Sequence, residues 1–342
     1  MAGRHRQDDV HAATGGVGAT AGASAGSRGA IPKVPEVNVY FWAVKILTTA
    51  MGEAVSDFMV KEYNPYLAVL AGFVVFAIAI TWQFRVPTYR TWPYWTAVAM
   101  VAVFGTMVAD ALHVGIGIPY KVSVTMFGAC LAVIFVVWYR VEGTLSIHSI
   151  ITPRREFFYW ATVCCTFALG TATGDLTATT LHLGYFTSGV VFTLAILLPL
   201  VAWRMGVNPV LTFWVAYILT RPIGASFADF FGMPKTSGGL GIGHGPVSLV
   251  TIVLVVASIA YLAATGKDQP SPLTEADYAR VAPRPAYATA PQPAYPAQQT
   301  YPAQQTRLAA PGRGPTFTPA PGYQPGPGYQ PGPADPGQDR FG

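Results

Sequence analysis

Apolar residues in this chain are grouped in eight long runs separated by short polar stretches. Each run has about twenty residues, which is the length of helix that crosses the hydrocarbon core of a bilayer. The pattern predicts an all-α fold, a polytopic membrane protein with eight transmembrane helices. We place these helices at approximately 39–60, 66–84, 94–113, 119–139, 157–178, 184–204, 210–232 and 246–264.

A tryptophan, a glycine and an aspartate recur four times with fixed spacing. The glycine follows the tryptophan by ten residues, and the aspartate follows the glycine by five. The copies are Trp42/Gly52/Asp57, Trp95/Gly105/Asp110, Trp160/Gly170/Asp175 and Trp214/Gly224/Asp229. Each copy is followed by an apolar run that lacks the signature, so the repeating unit is a helical hairpin. We predict four tandem hairpins of parallel topology, at about 39–84, 92–139, 157–204 and 211–264.

Composition supports a membrane domain between two polar ends. Charged residues make up 11% of the chain, against about 25% in soluble domains. The net charge of +5 forms no basic patch with interleaved aromatics, so we predict lipid and not nucleic acid as a partner. Residues 1–32 and the Pro-, Gln-, Gly- and Tyr-rich tail at 267–342 have too few apolar residues to fold, so we predict that both are disordered and that residues 33–266 form the membrane domain.

Basic residues indicate the orientation of these helices. Nine Lys and Arg residues flank the helices on the side of the two termini, and three lie on the other side. Because positive residues are retained in the cytoplasm, we predict that both termini are cytoplasmic.

The four aspartates are the main candidates for function. A carboxylate at the centre of a spanning helix costs about 2.5 to 3.5 kcal/mol. Asp57, Asp110, Asp175 and Asp229 are predicted near the outer ends of their helices, where the helix dipole also disfavours an anion. A helix break at the signature glycine, a basic partner, a bound cation or water could each stabilise them. Pro222, two residues before Gly224, frees a backbone carbonyl and favours a kink in the fourth repeat. Close helix packing is the alternative role of the four glycines.

Other charged residues within the spans extend this candidate substrate site. Lys45, Glu53 and Asp57 lie on one face of the first helix at multiples of four residues. Arg221 is predicted to pair with Glu53 or an aspartate, with direct contact to a substrate as the alternative. His113 shares a helix face with Asp110, and this pair is the candidate for binding a metal or relaying protons, with a solvated or hydrogen-bonded histidine as the alternative. No cofactor is indicated.

These features resemble a family of bacterial membrane proteins built from four tandem copies of a repeat of unknown function. Each copy in that family has two transmembrane segments and a characteristic tryptophan, matched here by Trp42, Trp95, Trp160 and Trp214. The opening at Lys33, which reads Lys-Val-Pro-Glu-Val-Asn and leads into Phe41 and Trp42, is also similar to the start of that family. The resemblance covers about residues 33–264 and implies a multi-pass protein of the bacterial inner (plasma) membrane. It implies no activity.

Two functional hypotheses follow from the sequence. The first is a transporter or channel-like protein for a small solute, with the carboxylates favouring a cation. The second is a membrane scaffold or sensor whose Pro-rich tail recruits a protein partner. An enzyme is not predicted, because the chain lacks catalytic motifs such as His-Glu-x-x-His and Gly-x-Ser-x-Gly.

Overall fold

The computed structural model describes residues 30–274 and Ala276, and the regular structure within them is entirely helical. The predicted all-α class is therefore confirmed. The longer helices are α1 (Val39–Glu62), α2 (Pro65–Arg85), α3 (Thr91–Asp110), α4 (Tyr120–Glu142), α5 (Pro153–Asp175), α6 (Tyr185–Ala195), α7 (Leu197–Arg204), α8 (Pro209–Gly232) and α9 (His244–Thr265). These correspond to the eight predicted segments, with α6 and α7 sharing the sixth.

Local sequence signals set the helix boundaries. Asn38, Asn64 and Asn208 cap α1, α2 and α8 by accepting hydrogen bonds from the first backbone amides. Gly143 and Gly266 end α4 and α9 in the left-handed conformation, with φ of 71° and 65°. Glycine adopts this conformation without the steric cost that a Cβ imposes.

One proline interrupts a spanning segment and another does not. Pro199 has no amide hydrogen to donate to the carbonyl of Ala195, and α6 ends at that residue. By contrast, α8 continues through Pro222 to Gly232, so a helix break, one of the four ways considered for stabilising the aspartates, does not occur in the fourth repeat. Pro222 is buried within the bundle.

The helices form two layers. The four signature helices, α1, α3, α5 and α8, lie inside, while α2, α4, α6 with α7, and α9 expose apolar side chains such as Leu67, Val133, Leu198 and Leu249. By length and composition, six segments in the described part of the chain can span a membrane: Pro65–Arg85, Thr91–His113, Tyr120–Glu142, Tyr185–Arg204, Pro209–Gly232 and His244–Thr265. The other two long helices, α1 and α5, are inner helices that carry more polar residues. The protein is therefore a multi-pass membrane protein.

The signature glycines join the inner helices into a closed ring. A Cβ added at Gly52 would lie 2.7 Å from the backbone of Ala102 on α3, and one at Gly105 would lie 2.9 Å from Cβ of Phe167 on α5. In the same way, Gly170 meets the stem of Arg221 on α8, and Gly224 meets Thr49 on α1. Each glycine thus contacts the residue three positions before the glycine of the next repeat. The order α1, α3, α5, α8 and back to α1 gives the bundle approximate fourfold symmetry.

The outer helices follow the same rule. In each repeat the second helix packs on the signature helix of the next repeat: α2 on α3, α4 on α5, α6 on α8, and α9 on α1. Each hairpin therefore packs on the next one through both of its helices, and the contact of α9 with α1 closes the ring.

The two ends of the bundle differ in the type of side chain that they contain. The tryptophan end, where the signature helices begin, contains a buried aromatic layer that includes Tyr94, Tyr159, Tyr217 and Trp214. The aspartate end, where these helices finish, contains the four signature aspartates.

The segments flanking the bundle close its tryptophan end. Buried Lys33 donates a hydrogen bond to Glu156 at the start of α5, and Gln83 of α2 donates to the same carboxylate at 3.0 Å. Residues 267–274, assigned from sequence to the tail, also lie here: Asp268 is fully buried and Leu273 N donates to Ala30 O at 3.0 Å.

Asp268 accepts hydrogen bonds from three side chains in and just before the first turns of α3. Tyr89 Oη, Thr91 Oγ1 at 3.2 Å and Trp95 Nε1 at 3.3 Å all donate to its carboxylate. Burial, followed by the nearby Asp268 charge, raises the pKa of Tyr89 well above its usual value. The tyrosine therefore keeps its proton and donates to Asp268 at any physiological pH.

Candidate functional site

Arg221 connects all four repeats at the centre of the ring. Its side chain is 1% exposed, and Nη2 donates to Glu53 Oε2 at 2.6 Å and to Thr171 Oγ1 at 2.7 Å. Thr106 Oγ1 also contacts this nitrogen, and Nη1 donates to the carbonyl of Thr49 at 3.2 Å. We call Arg221, Glu53, Thr106 and Thr171 the arginine hub. The structure thus pairs Arg221 with Glu53, the first of the two partners predicted for it.

The repeat itself positions the hub. Glu53, Thr106 and Thr171 each follow a signature glycine directly, and Arg221 lies three residues before the fourth one. Because the glycines allow the helices to approach closely, these positions meet at the ring axis. Sequence analysis did not select the two threonines, although the Gly-Thr dipeptide shared by the second and third repeats marks both.

Carboxylates from three repeats converge beside the hub. Carboxylate oxygens of Glu53, Asp175 and Asp229 all lie within 4.8 Å of one another. We call these three residues the carboxylate trio. Asp229 is 3% exposed, and its Oδ1 has no hydrogen-bond partner in the described part of the chain. Asp175 is half-buried, and the Tyr120 side chain lies beside it.

Asp57 belongs to a different arrangement. Its Oδ2 accepts a hydrogen bond from Lys61 Nζ at 2.7 Å, one helical turn later, and lies 3.3 Å from Nδ1 of His244 on α9. Lys61 is partly exposed and also lies 2.9 Å from Nε2 of His244. Asp57 therefore has a basic partner of its own, which Asp175 and Asp229 lack within residues 30–274.

Asp110 ends α3, and His113, its predicted partner in metal binding, lies in the turn that follows. The Nδ1–H of His113 donates to the carbonyl of Ile118 at 2.8 Å, and its ring stacks on Tyr120 with centroids 3.5 Å apart. The histidine is thus held by its own loop. Asp110 is half-buried and is not among the three residues whose oxygens converge within 4.8 Å.

The helices continue differently beyond the aspartates. After Asp110 and Asp175 the chain forms single π-helical turns, Ala111–Gly115 and Leu176–Thr180, whereas α1 and α8 remain α-helical beyond Asp57 and Asp229. The division of the repeats into two unlike pairs, visible in the sequence, is therefore also a difference in backbone. Short π-helical turns often occur at functional sites.

Lys45 lies on the other side of the hub, toward the tryptophan end. It is 1% exposed, and Nζ has no hydrogen-bond partner among the described residues. The ammonium lies over the rings of Phe167 and Tyr217, 3.9 and 4.3 Å from their centroids. Lys45 therefore packs on aromatic residues at this side of the hub.

The site is accordingly asymmetric along the bundle. The aromatic layer, with a hydrogen bond between the hydroxyls of Tyr94 and Tyr159, and the segments around Lys33 and Asp268 cover it at the tryptophan end. At the aspartate end, Asp110 and Asp175 are only half-buried. The aspartate end is therefore the less buried end of the site.

The chain matches one protein-family model. The model of a repeat described as "Repeat of Unknown Function (DUF347)" matches residues 40–89, 93–144, 158–205 and 212–268. These four matches coincide with the four hairpins and cover more than half of the chain. No curated protein and no solved structure matches it.

Proposed function

This chain belongs to the family built from the DUF347 repeat, and we propose that it is a transporter or channel-like protein for a small cationic solute. The observation that carries the proposal is the convergence of Glu53, Asp175 and Asp229 within 4.8 Å in the interior of a membrane helix bundle. Carboxylates buried in a membrane bundle are costly, and they characteristically mark ion and substrate pathways.

The balance of charge favours a cation as the solute. Arg221 pairs with Glu53 and Lys61 pairs with Asp57, so these two carboxylates are compensated. Asp175 and Asp229 have no basic partner in the described part of the chain. A cationic solute between them would supply the missing positive charge, whereas an anion would be repelled.

Flux measurements on the full chain in proteoliposomes test this proposal. Uptake is measured for sodium, rubidium, manganese(II) and tetramethylammonium ions, which differ in charge, size and hydration. We expect at least one of these cations to cross the membrane. The double variant Asp175→Asn/Asp229→Asn should reduce the flux of that cation by about tenfold or more, because it removes two negative charges that attract the cation while preserving the shape of the side chains.

The matched control is Glu62→Gln, which neutralises an exposed carboxylate near the same end of the bundle and should leave the flux unchanged. Wild-type flux in the double variant, with its elution in gel filtration unchanged, would contradict the proposal. So would the failure of all four cations to cross.

A tail deletion separates transport from the scaffold hypothesis. The cut is placed after Ala276, because Asp268 and Leu273 contact the bundle. A transporter should retain its flux without residues 277–342, whereas a scaffold should lose only the recruitment of its partner.

A further inference from the structure

We infer that the carboxylate trio binds one hard divalent metal ion, of the class of Mg²⁺, Mn²⁺ and Ca²⁺. This inference rests on the proposed function and names the chemical class of its cation. The ligands we infer are Glu53, Asp175 and Asp229, in place of Asp110 and His113, which the sequence suggested.

Ligand geometry is the first argument. Hard divalent cations bind oxygen ligands at about 2.0 to 2.6 Å, so oxygens on opposite sides of one ion lie about 4 to 5 Å apart. The three carboxylates each offer an oxygen, and these oxygens lie within 4.8 Å of one another. The separations are therefore of the size at which three carboxylates can share one ion.

An unsatisfied buried atom is the second, independent argument. Oδ1 of Asp229 is buried and has no hydrogen-bond partner among the described residues. An unpaired carboxylate oxygen in the interior is costly, and a metal ion at the trio would satisfy it.

A neutral oxygen lies nearby. Ser226, one turn before Asp229, is 2% exposed and its Oγ also lacks a partner in the described part of the chain. This oxygen lies 3.8 Å from where a Cβ of Gly174 would be, and Gly174 directly precedes Asp175. The Ser226 hydroxyl therefore faces the helix that carries one of the ligands and offers the type of oxygen that hard cations accept.

Charge distinguishes a divalent ion from a monovalent one. Arg221 donates to Glu53 and compensates its charge, but Asp175 and Asp229 keep two formal negative charges. A dication compensates both. The ligands are exclusively oxygen atoms, which favours magnesium, manganese and calcium over metals that prefer nitrogen or sulfur.

Binding of Mn²⁺ to the purified full-length chain tests the inference. Loss of the electron paramagnetic resonance signal of free Mn²⁺ measures the bound fraction. We expect saturable binding of one ion per chain, displaced by Ca²⁺ or Mg²⁺ but not by an equal ionic strength of Na⁺. Asp229→Asn and Asp175→Asn should each weaken binding by about tenfold or more, and Glu62→Gln should bind as the wild type does.

Three results would overturn the site: no saturable Mn²⁺ binding by the wild type, displacement by Na⁺ alone, or wild-type affinity in both asparagine variants. The wild-type measurement decides even where a variant fails to fold. Mn²⁺ binding without flux of any cation would refute the proposed transport but keep the metal site. Flux of a monovalent cation without Mn²⁺ binding would support the proposed transport but refute the metal site.

Discussion

Replacement of Arg221 by methionine is expected to lower the free energy of unfolding by about 3 to 5 kcal/mol. Methionine keeps an unbranched stem against Gly170 but removes every hydrogen bond of the guanidinium. Glu53 would then be a buried carboxylate without a counterion, beside two further carboxylates of the trio. Thermal and denaturant unfolding of the full chain in detergent micelles measures the effect.

Two further variants separate charge from geometry at this position. Arg221→Lys keeps a positive charge but has no second terminal nitrogen, so it cannot bind Glu53 and also replace the hydrogen bond from Nη1 to the Thr49 carbonyl. It should therefore recover only part of the lost stability. Arg221→Met combined with Glu53→Gln removes the uncompensated charge and should be more stable than Arg221→Met alone. If the single methionine variant unfolds like the wild type, the arginine hub does not hold the four repeats together.

Most of the fold was predictable because membrane burial imposes strong local rules. Length and hydropathy alone located all eight segments, and the recurrence of one tryptophan, one glycine and one aspartate divided them into four hairpins. The family match, with four copies between residues 40 and 268, agrees with this division. The break between α6 and α7 was not predicted, although Pro199 supplies its cause.

The candidate site was only partly predictable, because it depends on contacts between repeats. Glu53 and Arg221 were identified because charge in an apolar run is conspicuous in any sequence. Thr106 and Thr171 were missed because threonine is common in membrane helices, where its hydroxyl donates to a carbonyl of its own helix. Both threonines also make this hydrogen bond here. Only the ring, which places the residue after each glycine at a common axis, shows their role.

The four aspartates illustrate the same limit. One spacing places them at equivalent positions on their helices, and equivalence alone predicts four equal ligands. Instead, Lys61 and His244 engage Asp57, while Asp175 and Asp229 approach Glu53. The neighbours that make this difference lie outside the repeated signature, at positions where the four copies have diverged.

The ring of glycine contacts leads to the second large effect, at Gly224. A Cβ at this position would lie 2.7 Å from the backbone nitrogen of Ala50, closer than atoms of this kind approach, and would also overlap Thr49. Because backbone cannot rotate out of the way, α8 and α1 must separate, and the ring opens where the fourth repeat meets the first. We expect Gly224→Ala to lower the free energy of unfolding by about 1 to 3 kcal/mol.

Gly128 provides the matched control for this prediction. It lies within α4, and a Cβ there would meet nothing within 4 Å. Gly128→Ala should therefore be neutral or stabilise the helix by up to about 1 kcal/mol, since alanine is the better helix former. The same unfolding measurement compares both variants. Equal stability of the two would show that the contact between Gly224 and α1 does not limit how closely the first and fourth repeats pack, and the closed ring would lose its structural basis.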